Sequence, residues 1–389
     1  MHRRDFVKSA LAGWMYLHAP KVFADLSAPV AQQRASTDKK LIWILLRGAM
    51  DALHALPPLF DQNLDKHRGA LSRDLHTTAL KIDRGFALHP AFKHAHTLYQ
   101  QGQFLPVVAV ASGYRQRSHF DGQDQMESGL NQTEHENGWL ARAVASVGQE
   151  GLAVAQTIPI ALRGEGTTNN WFPSQFKPAD DDLLQRLTHL YSDDAQMQAW
   201  LSEAINSRDR LSMQDKGSPQ VKFPYLAERC GQMLQQNAGI GAAMLEMGGW
   251  DTHNNQANRL SRQFSELDAG LAALQQSLGE TWQKSVVIVT TEFGRTVKVN
   301  GTGGTDHGTA SALFLSGGAI QGKQVLGEWP GLAQEQLYEQ RDLKPTSDVR
   351  SWISAVLQQH WGLTSTQLRH VFPDVQAVTH SLLASLKAH

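Results

Sequence analysis

Gly248-Gly249-Trp250-Asp251-Thr252-His253 begins the stretch on which the reading of this chain turns. A long run with helical spacing follows it. Next come Val286-Val287-Ile288-Val289-Thr290-Thr291-Glu292-Phe293-Gly294-Arg295 and then Gly303-Gly304-Thr305-Asp306-His307-Gly308. Three short clusters of Asp, Glu and His therefore stand at Gly-rich turns, each after or near an apolar run of strand length. Open α/β sheets present their chemistry in this way, in the crevice at the carboxyl ends of the strands. The expectation is a metal-assisted hydrolase site.

Working outward, the run 240–247 leads into the first cluster and reads as a strand. Between the first two clusters, Leu260, Phe264, Leu267, Leu271 and Leu274 form the stripe of an amphipathic helix over 258–278. The runs 41–46 and 104–111 are continuous apolar segments, the pattern of strands buried on both faces of a parallel sheet. Further strands are expected over 152–160 and 312–315. Helices are expected over 90–101, 121–127, 138–147, 180–207, 225–236 and 348–360, with core positions at Leu183, Leu184, Leu187 and Leu190 in the fourth of these. Segments 60–78 and 214–221 read as loops, and Arg163 to Trp171 as a Gly- and amide-rich loop that lines a pocket or simply turns.

Two more strand ends carry candidate chemistry. The run 41–46 ends in Arg47-Gly48-Ala49-Met50-Asp51, where Asp51 is either a metal ligand or the cap of a helix starting at Ala52. The run 104–111 leads to Arg115-Gln116-Arg117-Ser118-His119-Phe120. Ser118 stands beside a His and after two Arg, a setting for a hydroxyl nucleophile, and equally for a helix cap. Arg47, Arg117 and Arg295 each adjoin a candidate ligand. Each is placed either to bind the oxygens of an anionic tetrahedral centre bidentately or to pair with a carboxylate.

A mixed carboxylate and imidazole set favours Zn or Mn over Ca. One such ion polarises an ester oxygen, and two about 4 Å apart clamp both sides of an in-line displacement. The Asp251-x-His253 spacing is not the helical pair of a zinc protease, and there is no Walker loop or Gly-x-Ser-x-Gly elbow.

Composition sets the bounds. The chain has 389 residues, of which 41% are hydrophobic and 19% charged, an ordinary globular balance. A net charge of −1 gives no basic field for nucleic acid. The 17 His are a surplus that fits metal or proton chemistry. Cys230 is the one cysteine, so no intrachain disulfide forms, and its place on a helix face predicts burial.

The amino terminus has the layout of a signal peptide. Arg3-Arg4-Asp5-Phe6-Val7-Lys8 precedes a short apolar segment and a small-residue cleavage site ending at Ala24. The Arg pair resembles the twin-arginine (Tat) type; a chance Arg pair on a cytosolic helix is the other reading. The expected organisation is a signal peptide over 1–24, a linker over 25–38 and a single α/β domain over 39–389. No run is long and apolar enough for a stable membrane span.

Taken together, Leu46-Arg47-Gly48-Ala49-Met50-Asp51, Ser118-His119-Phe120, Gly249-Trp250-Asp251-Thr252-His253, Thr291-Glu292-Phe293-Gly294-Arg295-Thr296 and Gly304-Thr305-Asp306-His307-Gly308 resemble the motifs of the domain-of-unknown-function 1501 family of exported bacterial proteins. That family is similar to the alkaline phosphatase and sulfatase superfamily. The resemblance implies a three-layer α/β/α sandwich with a mostly parallel central sheet and a metal site of one or two divalent ions. It implies Ser118 as nucleophile, Asp251, His253 and His307 around one ion, and Asp51 and Glu292 as further ligands, with Asp306 beside His307. Phe293 stands where the superfamily has a ligating His. The function implied is hydrolysis of a small anionic phosphate or sulfate ester after export by the Tat machinery. The alternative is a non-catalytic periplasmic binding or assembly protein on the same fold.

Overall fold

A computed structural model describes residues 38–132, 134–173, 181–202 and 221–384. The Arg3-Arg4 segment, the expected cleavage at Ala24, nearly all of the expected linker and most of the 214–221 loop lie outside the described residues.

The strands are β1 (Lys40–Leu46), β2 (Leu80–Lys81), β3 (Ala87–Leu88), β4 (Phe104–Ala111), β5 (Glu150–Val154), β6 (Thr167–Asn170), β7 (Ile240–Met247), β8 (Ser285–Thr291), β9 (Ser311–Ser316) and β10 (Ser347–Asp348). Eight of them build one sheet in the order β10-β4-β9-β8-β1-β7-β5-β6. Central β1 pairs in parallel with β7 and β8, and Leu46 aligns with Met247 on one side and Thr291 on the other. Three chain ends therefore emerge side by side. Only β9 runs antiparallel to its neighbours β8 and β4. This reversal matters for the site, because the residues just before β9 arrive where those just after β1, β7 and β8 leave.

β1 shows why the sheet is covered on both faces. Ile42, Ile44 and Leu46 enter one core, and Leu41, Trp43 and Leu45 enter the other, the alternation of a strand buried on both sides. The first core is closed by α1 (Lys93–Gln100), α4 (Phe223–Gln236) and α5 (Gln256–Leu278). The second is closed by α3 (Trp139–Ser146), α6 (Val349–Trp361) and α7 (Ser365–Val371). Helix α2 (His119–Ser128) lies between α1 and α3 in sequence and carries site residues. The architecture is the expected three-layer α/β/α sandwich with a mostly parallel sheet. Cys230 is fully buried on α4, where burial pushes its thiol pKa up.

The structure corrects four expectations. The 152–160 strand ends at Val154, and Ile160–Leu162 form a 3-10 turn instead. Polar Gln156 and Thr157 have no place in an apolar layer, and Pro159 lacks a ladder donor. Within the Arg163 to Trp171 loop, Thr167–Asn170 add the edge strand β6. Segment 60–78 holds three one-turn helices, Leu64–Arg68, Ala70–Arg73 and Leu75–Thr78. Their buried positions include Arg68 and Ser72, so no apolar period marked them. Finally, Leu190 is 71% exposed and Leu187 half-buried, so that stripe is not core over these two positions. Among the described residues, no helix is long and apolar enough to cross a membrane.

Candidate metal centre

The site grows out of the three aligned strand ends. After β1 the chain turns at Gly48, whose φ of +121° is open to glycine and strained for other residues. A Cβ there would stand 2.5 Å from the backbone nitrogen of Asp251, so glycine lets the two loops touch. After β8, Arg295 bridges to His307 in a short antiparallel contact, and Asn254 bridges likewise to Gly303. These contacts draw the loop that precedes β9 onto the loops that follow β7 and β8.

Three imidazoles and one carboxylate converge as a result. His307 Nε2 lies 3.0 Å from His119 Nε2, 3.1 Å from His253 Nε2 and 3.1 Å from Asp251 Oδ1. His253 Nε2 is 2.9 Å from the same Asp251 oxygen, and His119 Nε2 is 3.5 Å from Asp251 Oδ2. All four side chains are partly exposed, so the cluster opens to solvent.

The opposite ring nitrogens fix the tautomers. His119 Nδ1 lies 2.7 Å from Glu292 Oε1, His253 Nδ1 lies 3.3 Å from Asp306 Oδ1, and His307 Nδ1 lies 3.1 Å from the carbonyl of Arg117. A carboxylate or carbonyl oxygen only accepts, so each Nδ1 carries the hydrogen that it donates. With Nδ1 donating, each ring turns its Nε2 toward the common point, where the metal-binding form of imidazole offers a lone pair. A proton on one Nε2 joins two of these atoms at a time, whereas a divalent cation satisfies the whole set. Imidazole ligands with the second nitrogen donating to oxygen are the usual pattern of a metal site. The donor set, three nitrogens and a carboxylate, suits zinc or a similar ion. His119, Asp251 and His307 offer ligand atoms that all lie within 4.8 Å of one another, and His253 Nε2 joins them at 2.9 Å from Asp251 and 3.1 Å from His307.

Electrostatics reinforce this. Burial works against the charge of Asp251, but Arg295, donating at 2.6 Å, overcomes it and holds the carboxyl below its ordinary value. The hydrogen bond to Glu292 raises His119. Desolvation, with His119 nearby, lowers His307.

Glu292 is fully buried, and its oxygens accept from Gly48 N at 2.8 Å, Gln123 Nε2 at 2.9 Å and Thr291 Oγ at 2.9 Å as well as from His119. Burial opposes its charge, and these donors, His119 first, hold its pKa low. Glu292 thus stands behind His119 with Oε1 engaged by three donors. Phe293 is buried and stacks on His119 with ring centroids 4.9 Å apart.

The remaining candidates are distributed as follows. Asp51 is buried and held by a two-point ion pair with Arg68, by Gln256, and by its capping bond to Leu53 N at 3.0 Å. Of the two uses open to it in the sequence, the structure displays the cap. Asp306 meets the cluster through His253 and accepts from Asn300 Nδ2 at 3.2 Å. Ser118 immediately precedes His119 at the start of α2, and its side chain makes no capping bond. Arg117 adopts a left-handed backbone, φ 61°, which turns its carbonyl to His307 while its guanidinium reaches Asp342 at 2.8 Å and Glu339 at 2.6 Å. Arg295 is buried between Asp251 and Thr305. Arg47 holds Gln123 Oε1 and, at 2.6 Å, Glu246.

His119 and Gln123 are the members that sequence reasoning did not select. His119 was visible beside Ser118; its spacing from Gln123, one helical turn, places both on one face of α2.

The fold and this cluster define an α/β/α protein with an imidazole and carboxylate centre at the carboxyl edge of its sheet. The chain belongs to the DUF1501 family, described as protein of unknown function, whose model matches residues 38–374. No curated protein matches it. Similar solved structures include Ps i-CgsB in complex with k-i-k-neocarrahexaose, at 7% identity and a TM-score of 0.43, covering 87% of this chain and 75% of that one. BT1596, a 2-O GAG sulfatase, is 9% identical with a TM-score of 0.43, covering 88% and 76%. A protein in the alkaline phosphatase superfamily from Vibrio parahaemolyticus is 9% identical with a TM-score of 0.36, covering 83% and 66%.

Proposed function

We propose that the chain is an exported, metal-dependent hydrolase of phosphate or sulfate esters that works with one divalent ion. The observation that carries this is the convergence of the His119, His253 and His307 Nε2 atoms on the Asp251 carboxylate, with every Nδ1 set against an oxygen. These four residues would hold the ion, with zinc or manganese best suited to the donors. When bound, it supplies Lewis-acid polarisation of an anionic ester. Glu292 keeps the proton on His119 Nδ1 and fixes the ring. Arg295 keeps Asp251 ionised. Ser118, adjacent to His119, is the hydroxyl placed nearest in sequence to act as nucleophile. A single ion is favoured because Glu292 Oε1 is taken by His119, Gln123 and Gly48 and Phe293 brings a phenyl ring where a ligand would be needed. The Arg3-Arg4 motif supports export through the Tat machinery.

A second reading is a metal-holding protein without catalysis. It is favoured by Arg47, Arg117 and Arg295, each of which already has a carboxylate partner. The test is metal analysis by mass spectrometry of the purified protein and of Asp251→Ala and His307→Ala, with assays on aryl phosphates and aryl sulfates. Bound metal lost in both variants, together with hydrolysis that needs that metal, is the expected result. Metal without hydrolysis of either ester class selects the second reading. No metal in the parent protein overturns both.

A further inference from the structure

Arg47, whose guanidinium reaches Gln123, also lines a cavity of about 460 Å³. Its polar wall is Arg47, Asp124, Glu127, Glu246 and Arg163, and its apolar wall includes Val154, Ile160, Phe172 and Leu226. We infer that this cavity binds an organic cation, an ammonium or guanidinium group on a compact apolar body, at Glu127.

Among the described residues, the wall sets three carboxylates, Asp124, Glu127 and Glu246, against two guanidinium groups, Arg47 and Arg163. Glu127 is 2% exposed, yet it lines the cavity. One oxygen, Oε2, accepts from Ala161 N at 3.2 Å. The other, Oε1, stands 3.8 Å from Arg47 Nη1, beyond hydrogen-bond reach. That Nη1 is bonded instead to Glu246 at 2.6 Å. Two carboxylates thus share one guanidinium, and the buried one has the weaker share. Arg163 gives its Nε and Nη1 hydrogens to the carbonyls of Ile158 and His135. Among the described residues, the cation beside Asp124 is the exposed His135, at 3.5 Å. Burial, with Glu246 nearby, pushes Glu127 up to about 7, as expected of a buried carboxylate short of a counter-charge.

The occupant is organic rather than a bare ion. Arg47 Nη1 already stands 3.8 Å from Glu127 Oε1 and 2.6 Å from Glu246 Oε1, so a bare cation shared by these two carboxylates would have to displace it. The rest of the lining offers apolar surface for a hydrocarbon body and, in Phe172, an aromatic ring for a cation. This site is separate from the metal centre, though Gln123 joins them, donating to Glu292 and accepting from Arg47.

Calorimetric titration of the full-length protein with benzylammonium, benzyl alcohol and benzoate tests the inference. Benzylammonium is expected to bind, with the other two roughly tenfold weaker or worse, since a bond to a charged group is being withheld. Glu127→Gln keeps the size and the acceptor for Ala161, and is expected to weaken benzylammonium by about tenfold or more. Asp124→Asn, nearer the surface, provides the same comparison should the first variant not fold, with a weakening of roughly threefold or more. Equal binding of the alcohol and the ammonium, preference for benzoate, or unchanged affinity in a folded Glu127→Gln or Asp124→Asn protein would overturn it.

Discussion

His119 Nδ1 lies 2.7 Å from Glu292 Oε1, joining the first residue of α2 to the end of β8. That one contact fixes the ring's orientation and its tautomer, and so sends the Nε2 lone pair toward Asp251 and His307. Glu292→Gln keeps the shape and removes the charge. Zinc affinity, measured by chelator competition, should fall by roughly 10- to 100-fold, the usual cost of altering a group behind a metal ligand. An unchanged affinity would remove His119 from the ligand set.

The Asp51–Arg68 pair makes the opposite prediction. Both groups are buried, and Arg68 also donates to the Thr296 carbonyl. Arg68→Ala leaves a buried carboxylate without its cation and should cost about 3–5 kcal/mol in urea unfolding. Metal content per folded molecule should stay at the parent level in Asp51→Asn. Loss of metal from a folded Asp51→Asn protein would return Asp51 to the ligands.

Phe293 packs with Ala49 and Tyr114 in a small buried cluster against His119. Phe293→Ala should cost about 3 kcal/mol by lost packing and cavity formation. A stability loss below about 0.5 kcal/mol, the range of surface substitutions, would mean the ring is not held by its neighbours.

Three buried histidines predict a pH dependence of stability. Desolvation lowers His54 and His360 to about 4 and His89 to about 3. Each is neutral in the fold at pH values where the unfolded chain already binds a proton. Their contribution is therefore intact above about pH 6.5 and is lost as pH falls from there toward the folded values, by about 1.4 kcal/mol per pH unit per titrating group. Glu127 works in the other direction: with its pKa raised to about 7, it costs stability as pH rises from its ordinary 4.5 toward that value. Urea melts between pH 7 and pH 4 should steepen in Glu127→Gln and flatten in His360→Gln. Parallel curves for all three proteins would contradict these assignments.

Much of the scaffold was legible because burial leaves a strong pattern. The runs in β1, β4, β7 and β8 are apolar enough to be read without partners, and the α5 stripe repeats at helical spacing. Where polar residues supply the buried positions, as Arg68 and Ser72 do between Leu64 and Leu75, that pattern disappears and the helices went unread. Pro159 shortened one strand, and the edge strand Thr167–Asn170 carried no apolar signal at all.

The Gly-rich clusters after apolar strands, with Asp251, His253, Glu292, Arg295 and His307 in place, were written in the sequence, because turns and strand ends are local. Which of those groups face one another was not. That depends on β9 running against its neighbours, which returns His307 to the edge where Asp251 leaves, and on α2 starting where His119 meets Glu292. The same arrangement buried Asp51 against Arg68, 17 positions away in the chain. Residue type sets what a side chain can donate or accept; only the packed chain decides which partner it finds, because that choice rests on contacts between segments far apart in sequence.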